Sequence, residues 1–352
     1  MSPTTDTYDL AVLIGRFQPP HLGHLALLQQ ALARASRVIV VLGSAIQARS
    51  PKNPFTWQER AQMFAGALSP ADALRVEFVP IRDYYDEPRW VTAVREAVTS
   101  HSQPGARIGL VGHFKDASSS YLAHFPGWEL VSLPRQNSID ATPIRDAYFD
   151  APAAGPAGDL SPLKEMLPAS SLEFLQRFNQ TPAYAELCTE WQMLRKYRQS
   201  WLAAPYPPVF VTVDALVRCG NEVLVIRRGH APGKGLLALP GGFLEPRDTL
   251  WQSCLRELQE ETHCALEEPS LRAALQSVTV FDHPDRSQRG RTITHVHYFD
   301  LKQSPKPAVR ADDDAAEAFW LSIDAIRARE AEFFEDHFQI LQKLLVPSFT
   351  AY

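Results

Sequence analysis

The chain has 352 residues, of which 45% are hydrophobic and 21% charged, and a formal net charge of −5. At roughly 100–200 residues per domain this length implies two domains, and neither half has the polar composition of a disordered segment. The acidic balance argues against a general nucleic-acid binder or a binder of anionic membranes, either of which needs a basic face, but it leaves room for small anionic substrates held by local Arg, Lys and His.

The N-terminus, Met1 to Asp9, is polar and lacks a basic stretch followed by an apolar one, so no signal peptide is expected. No run along the chain approaches roughly 18 apolar residues, so a cytoplasmic enzyme without a membrane partner is the expectation. Leu10–Ile14 is a short apolar run ending at Gly15, as in a buried strand. A helical pattern follows from His24 to Ala35, with Leu25, Leu28 and Leu32 on one face. Val38–Leu42, closed by Gly43, completes a strand–helix–strand unit, which implies a parallel sheet. Helices are predicted around Trp57–Leu68 and Trp90–Ser100, and strands at Val76–Ile81 and Ile108–Val111. This half reads as α/β and doubly wound.

Ala151–Asp159 reads as a loop, followed by helices near Ser171–Phe178 and Ala183–Leu202. Ala203 to Pro208 is rich in proline and ends the helical pattern. The expected division is a first domain over 1–182, a helical linker over 183–205 and a second domain over 206–352. In the latter, Val209–Val217 and Glu222–Ile226 pair as strands across Cys219-Gly220-Asn221. A Gly-rich loop from Gly233 to Gly242, a helix, strands near Gln276–Phe281 and Thr292–Leu301, and a final helix over Ile323–Leu345 complete the pattern. The cysteines, Cys188, Cys219, Cys254 and Cys264, include no C-x-x-C pair, so neither a disulfide scaffold nor a zinc cluster is indicated.

The first candidate site is Gly15-Arg16-Phe17-Gln18-Pro19-Pro20-His21-Leu22-Gly23-His24, where a strand ends and a helix begins. Unpaired amides and the helix dipole favour an anion there, and Gly15 and Gly23 allow close backbone approach. His21 and His24 can both donate to a phosphate as negative charge develops. The run resembles the G-x-F-x-P-x-H-x-G-H signature of the HxGH nucleotidyltransferase superfamily. Ile139-Asp140-Ala141-Thr142-Pro143-Ile144-Arg145 is similar to its second signature, I-S-S-T-x-I-R, matching at Thr142, Ile144 and Arg145 and departing at Asp140 and Ala141. Within the superfamily the chain resembles nicotinamide mononucleotide (NMN) adenylyltransferases, on Gly43-Ser44-Ala45, Asn53 to Arg60, Asp83-Tyr84 with Trp90, and Gly112-His113-Phe114-Lys115-Asp116. That resemblance implies an ATP site at Gly15, Arg16, Phe17, His21, Gly23, His24, Thr142 and Arg145. It implies an NMN site at Asp83, Trp90, Lys115 and Asp116, with Trp90 stacked on the nicotinamide ring. Read from the residue alone, Trp90 fits a core aromatic at a helix start equally well. Catalysis would rest on His21, His24 and Arg145, with Mg²⁺, neutralising phosphate charge.

The second candidate site runs from Gly242 through Asp248 to Arg256-Glu257-Leu258-Gln259-Glu260-Glu261-Thr262-His263-Cys264. Glu257, Glu260 and Glu261 fall at i, i+3 and i+4 on one helix face, where three carboxylates call for a hard cation, Mg²⁺ or Mn²⁺. Leu250, Cys254 and Leu258 share a face that would bury against the sheet. Asp248 is expected to cap the helix, and His263 to adopt the positive φ that usually falls to glycine. The spacing resembles the Nudix box, with Asp248 in place of its first Glu and His263 in place of its Gly. The resemblance implies an α/β/α sandwich fold, metal ligands Glu257, Glu260 and Glu261, and hydrolysis of a nucleoside diphosphate.

His283-Pro284-Asp285-Arg286 and Arg289-Gly290-Arg291-Thr292 are similar to a loop of ADP-ribose pyrophosphatases, which implies ADP-ribose contacts from Arg286, Arg289 and Arg291. An ordinary charged loop is an equal reading of the same residues. Asp312-Asp313-Asp314 to Glu317 is an acidic stretch that could supply a base. Together the halves resemble bifunctional bacterial NMN adenylyltransferase/Nudix enzymes, which implies ATP, NMN and ADP-ribose as small-molecule partners and leaves oligomeric state open. The alternatives are a nucleotidyltransferase for another phosphate, and a Nudix half that senses a ligand or cleaves another nucleoside diphosphate.

Overall fold

The computed structural model describes residues 8–112, 124–133, 139–150, 160–302 and 305–345. It divides into two compact units, Met1–Cys188 and Thr189–Tyr352. Among the described residues no helix is long and apolar enough to cross a membrane.

The first unit contains, in order, β1 (Tyr8–Gly15), α1 (Leu22–Leu32), β2 (Ala35–Leu42), α2 (Trp57–Ala65), α3 (Pro70–Ala73), β3 (Val76–Pro80), α4 (Glu87–Ser100), β4 (Ile108–Gly112), β5 (Glu129–Ser132), α5 (Ala141–Asp150) and α6 (Ala169–Phe178). The helix α7 (Pro182–Ser200) follows, and the division between units falls inside it. The five strands pair in parallel in the order β3-β2-β1-β4-β5. Successive residues of β1 and β2 feed opposite faces. Ala11, Leu13, Val38, Val40 and Leu42 pack on Leu28 and Ala31 of α1, while Leu10, Val12, Ile39 and Val41 pack on Val94 and Val98 of α4. Burial on both faces is what makes these strands read as continuous apolar runs, and it gives the doubly wound arrangement expected. The chain leaves β1 in one direction and resumes at β4 on its other side. The crevice beyond the carboxyl ends of β1 and β4 is therefore the topological switch point.

The second unit contains β6 (Val209–Cys219), β7 (Glu222–Arg228), β8 (Leu237–Ala238), β9 (Gly241–Phe243), α8 (Leu250–Thr262), α9 (Glu268–Ala274), β10 (Leu275–Phe281), β11 (Arg291–Asp300), β12 (Ala315–Ser322), α10 (Ile323–Arg327) and α11 (His337–Leu344). Its mixed sheet runs β10-β11-β6-β7-β12, with β9 added to β6 and β8 to β7. One face meets Cys254 and Leu258 of α8, and the other meets Ile326 of α10 and Ile340 and Leu341 of α11. This is the α/β/α sandwich implied by the sequence.

The single final helix expected over Ile323–Leu345 is instead two short helices. A 3₁₀ turn at Glu330–Glu332, an extended Phe333 and a turn at Glu335–Asp336 separate them. Phe333 bridges to Leu237 in strand fashion, and the Phe334 amide donates to the Leu237 carbonyl at 2.9 Å. Phe333 and Phe334 keep an apolar periodicity through this stretch, but their burial comes from strand contact with β8 rather than from a helix face. The β12 strand and the α9 helix were not anticipated.

Candidate active sites

In the first unit the β1–α1 loop is shaped from within. Phe17 has φ 50°, and its ring folds back over Gly15, where a Cβ would lie 2.8 Å from the ring carbon. Gln18 is buried and binds the Phe55 backbone at both ends, donating from Nε2 to the carbonyl at 2.9 Å and accepting from the amide at 3.0 Å. His21 is the N-cap of α1, so the helix begins at Leu22, before the expected start at His24. The His24 amide donates to His21 Nδ1 at 3.4 Å, and the His21 amide donates to His24 Nδ1 at 3.3 Å. The two rings stack with centroids 3.5 Å apart, and Phe17 meets His24 edge-on at 4.8 Å. Because each Nδ1 accepts from backbone, each ring carries its proton on Nε2, as a neutral donor. Gly23 is buried in the first turn.

The second signature is brought to the same loop. Arg145, on α5, donates from Nη1 to the Gln18 carbonyl at 2.8 Å and from Nη2 to Thr142 Oγ1 at 3.0 Å. Burial, and then the charge of Arg16, push Arg145 down to about 10, which places two guanidiniums at one end of the loop. Their mutual repulsion is relieved when an anion binds there.

Asp83 accepts from Ser44 Oγ at 2.6 Å beside the carboxyl end of β2. Trp90 lies half-buried in the first turns of α4, edge-on to Phe125 at 6.2 Å. Lys115 and Asp116, also expected at this site, lie outside the described residues. Arg60 was not among the expected residues. It is fully buried and donates to the carbonyls of Arg16, Gly43 (2.8 Å), Ser44 (3.4 Å) and Thr56 (3.2 Å), with burial pushing it down to about 10. Solvated by carbonyls, it ties the ends of β1 and β2 to the start of α2. Its position in a helical apolar pattern with Met63 and Phe64 is the signal that could have shown it buried.

In the second unit two glycines receive the carboxylates. The Gly241 amide donates to Glu261 Oε2 at 2.8 Å. A Cβ on Gly242 would lie 2.4 Å from Glu257 Oε1, and one on Gly241 would lie 2.3 Å from the Val213 carbonyl. Glu261 is 3% exposed, and burial above all pushes it up to about 8. Burial likewise raises Glu257, Arg256 opposes that shift, and Glu260 and Asp313 add to it. Arg256 reaches Glu257 at 3.0 Å, Glu260 at 2.7 Å and Asp248 at 3.4 Å.

Thr249, not Asp248, caps α8, accepting from the Gln252 amide. Asp248 accepts from Ser253 Oγ at 3.0 Å instead. His263 does end the helix at φ 41°, and its Nε2 pairs with Asp312 at 2.8 Å. Asp214 was not anticipated. It is buried beneath Gly241, bonded to Thr294 Oγ1, and raised by that burial.

The arginine loop is split three ways. Arg286 is 4% exposed and bound bidentately to Asp336 at 2.9 and 2.8 Å, so its guanidinium is committed to a structural pair. Arg291 is tied to Asp282 through that residue's backbone carbonyl and lies 4.0 Å from its carboxylate. Arg289 stacks over the Phe243 ring at 4.7 Å, next to the glycine pair.

The N-terminal residues 12–103 match the cytidylyltransferase-like family model, and residues 208–344 match the NUDIX domain. A crystal structure from Francisella tularensis, a bifunctional NMN adenylyltransferase/ADP ribose pyrophosphatase complexed with AMP and Mn ion, is 36% identical. It covers 97% of this chain and 100% of its own, with a TM-score of 0.88. The chain belongs to that bifunctional family. A nicotinamide/nicotinic acid mononucleotide adenylyltransferase of Acinetobacter baylyi is 38% identical over 51% of the chain and 92% of its own length. An ADP-ribose pyrophosphatase of Methanocaldococcus jannaschii is 33% identical over 40% of the chain and 75% of its own length.

Nudix members of this kind use a divalent metal, and the donor set here fits one. Glu257 and Glu261 are hard oxygen donors set against the glycine pair, each raised first by burial and further by neighbouring acids. Among the described residues, however, no three such side chains are already gathered around one point. Arg256 holds both Glu257, at 3.0 Å, and Glu260, at 2.7 Å.

Proposed function

We propose that the chain transfers the adenylyl group of ATP to NMN, giving NAD and pyrophosphate, and hydrolyses ADP-ribose to AMP and ribose 5-phosphate. The observation that carries this reading is the end-to-end likeness to a bifunctional enzyme, 36% identical over 97% of the chain. Two separately built sites support it.

In the first, an oxygen of the NMN 5′-phosphate attacks the α-phosphorus of ATP, and the bond to the β-phosphate oxygen breaks. His21 and His24 donate from Nε2 to the reacting phosphates, Arg145 and Arg16 hold the departing pyrophosphate, and the work is positioning and charge stabilisation. Asp83, Trp90, Lys115 and Asp116 form the NMN side. In the second, water attacks the diphosphate of ADP-ribose and one P–O bond breaks. Mg²⁺, or Mn²⁺ at this site, would be held by Glu257, Glu261 and Glu260 and would supply neutralisation of the diphosphate charge.

The test is a substrate panel on purified protein with Mg²⁺. It pairs ATP with NMN or nicotinic acid mononucleotide, and separately offers ADP-ribose, NAD, NADH and diadenosine polyphosphates. NAD formation together with preferred cleavage of ADP-ribose is the expected result. No adenylyl transfer to either mononucleotide would overturn the first half. Preferred cleavage of another member of the panel would overturn the ADP-ribose half.

A further inference from the structure

The loop from Arg286 to Gly290 is fastened at two points and packed at a third, yet one donor of its Arg289, beside the glycine turn, is left short of an acceptor among the described residues. At its start Arg286 is clamped by both oxygens of buried Asp336. In its middle the Gln288 amide donates to Glu335 Oε1 at 2.9 Å. At its end Gly290 adopts φ 153°, and a Cβ there would lie 3.0 Å from the Phe210 ring. Phe210 in turn meets Phe243 edge-on at 5.8 Å. These fastenings deliver Arg289 face-on to Phe243, the residue following the Gly241–Gly242 pair that receives Glu261 and Glu257. Among the described residues Arg289 Nε is buried and has no hydrogen-bond partner. Its positive charge reaches Arg228, which burial already lowers and which stacks on Phe334 at 4.3 Å. A buried donor of this kind is ordinarily satisfied, and a guanidinium stacked on one face still presents its edge as a fork for phosphate oxygens.

Resting on the hydrolase reading above, we propose that Arg289 is the residue of this loop that binds a phosphate of the nucleoside diphosphate, and that the Arg286–Asp336 pair is a positioning device for it. Arg286 then does not touch substrate, and Asp336 and Glu335 act through Arg289. The segment between the 3₁₀ turn and α11 serves both sides: Phe333 and Phe334 bond Leu237, and the turn at Glu335–Asp336 holds the arginine loop.

The experiment is steady-state kinetics of the full chain on ADP-ribose with Mg²⁺. Arg289→Ala is expected to raise KM roughly 10- to 100-fold, as for loss of a charge-assisted hydrogen bond, with kcat within about three-fold. Arg289→Lys, which keeps the charge and loses the fork, is expected to fall between. Asp336→Asn is expected to raise KM about 10-fold, and the double variant Asp336→Asn/Arg289→Ala to be no worse than Arg289→Ala alone, because both act on one contact. If Asp336→Asn does not fold, Glu335→Ala removes the Glu335 acceptor of the Gln288 amide while leaving the buried pair intact, and is expected to raise KM about 3-fold; an unchanged KM would then overturn the positioning role. An Arg289→Ala KM equal to wild type overturns the assignment. Multiplying effects in the double variant overturn the positioning role. A wild-type chain that cleaves no ADP-ribose instead overturns the hydrolase reading itself.

Discussion

At the scale of single residues, the sequence motif located the histidine pair, but the way it works is visible only in space. His21 and His24 cap each other's amides through Nδ1, so one helix terminus sets both tautomers. His24→Ala removes a donor and the ring stacked on His21, while the amide of residue 24 can still donate to His21 Nδ1. NAD synthesis is expected to fall by about 10²- to 10³-fold in kcat, as for loss of one preorganised donor, with ADP-ribose cleavage unchanged.

Arg60 and His337 were illegible for the opposite reason. A buried cation or imidazole looks in a sequence like a surface one, because its partners are backbone atoms far along the chain. His337 accepts the Leu239 amide on Nδ1 at 3.1 Å, and burial pushes it down to about 3. A histidine depressed in the folded state lends stability above its ordinary pKa of 6.5, lost as pH falls through the window toward 3. At pH 5.5 that loss is about 1 kcal/mol, on the order of one pKa unit's worth. Thermal melts from pH 7.5 to 5 are expected to show a drop in wild type that is shallower in His337→Gln, whose amide oxygen can still accept from Leu239. Equal slopes would show that His337 is protonated in the fold.

At the scale of elements, strands and helices with one simple period were legible and those made by tertiary contact were not. The runs in β1, β2, β6 and β7 are buried on both faces and carry their own signal. The positive φ at His263 was legible too, because this residue stands where the motif has its helix-ending glycine. The break between α10 and α11 was not, since Phe333 and Phe334 continue an apolar pattern while serving β8.

The β9 turn is the element on which the second site depends. Gly242→Ala places a methyl 2.4 Å from a Glu257 oxygen, so the carboxylate must leave its place against the turn. Cleavage of ADP-ribose is expected to fall about 100-fold, in the range seen when support of a metal ligand is lost. The apparent Mg²⁺ requirement should rise with it. Gly235→Ala, at a glycine whose added Cβ meets nothing within 4 Å but whose φ is +82°, is the comparison for backbone strain alone. Equal losses in the two variants would assign the effect to folding instead of ligand placement.

At the scale of the whole molecule, two chemistries that both act on adenine nucleotide phosphates are built by unlike means. The first unit uses helix amides, imidazoles and guanidiniums at a parallel-sheet switch point, a cationic site for anions. The second sets paired carboxylates against a glycine turn, an anionic site that calls for a cation before a diphosphate can approach. Each unit has its own hydrophobic clusters on both faces of its own sheet. A substitution that changes one side chain without disturbing its packing should therefore be felt in one activity only. Glu261→Gln meets that condition. The amide oxygen can still accept from Gly241, and burial already pushes Glu261 up to about 8, so a neutral group suits the pocket. ADP-ribose cleavage by Glu261→Gln is expected to drop by about 10³-fold or more, since an essential hard donor is lost. NAD synthesis by the same preparation should stay within about two-fold of wild type, as expected for sites built on separate units. A parallel fall in both rates would show that the carboxylate cluster supports the adenylyltransferase as well, and that the two units do not work independently.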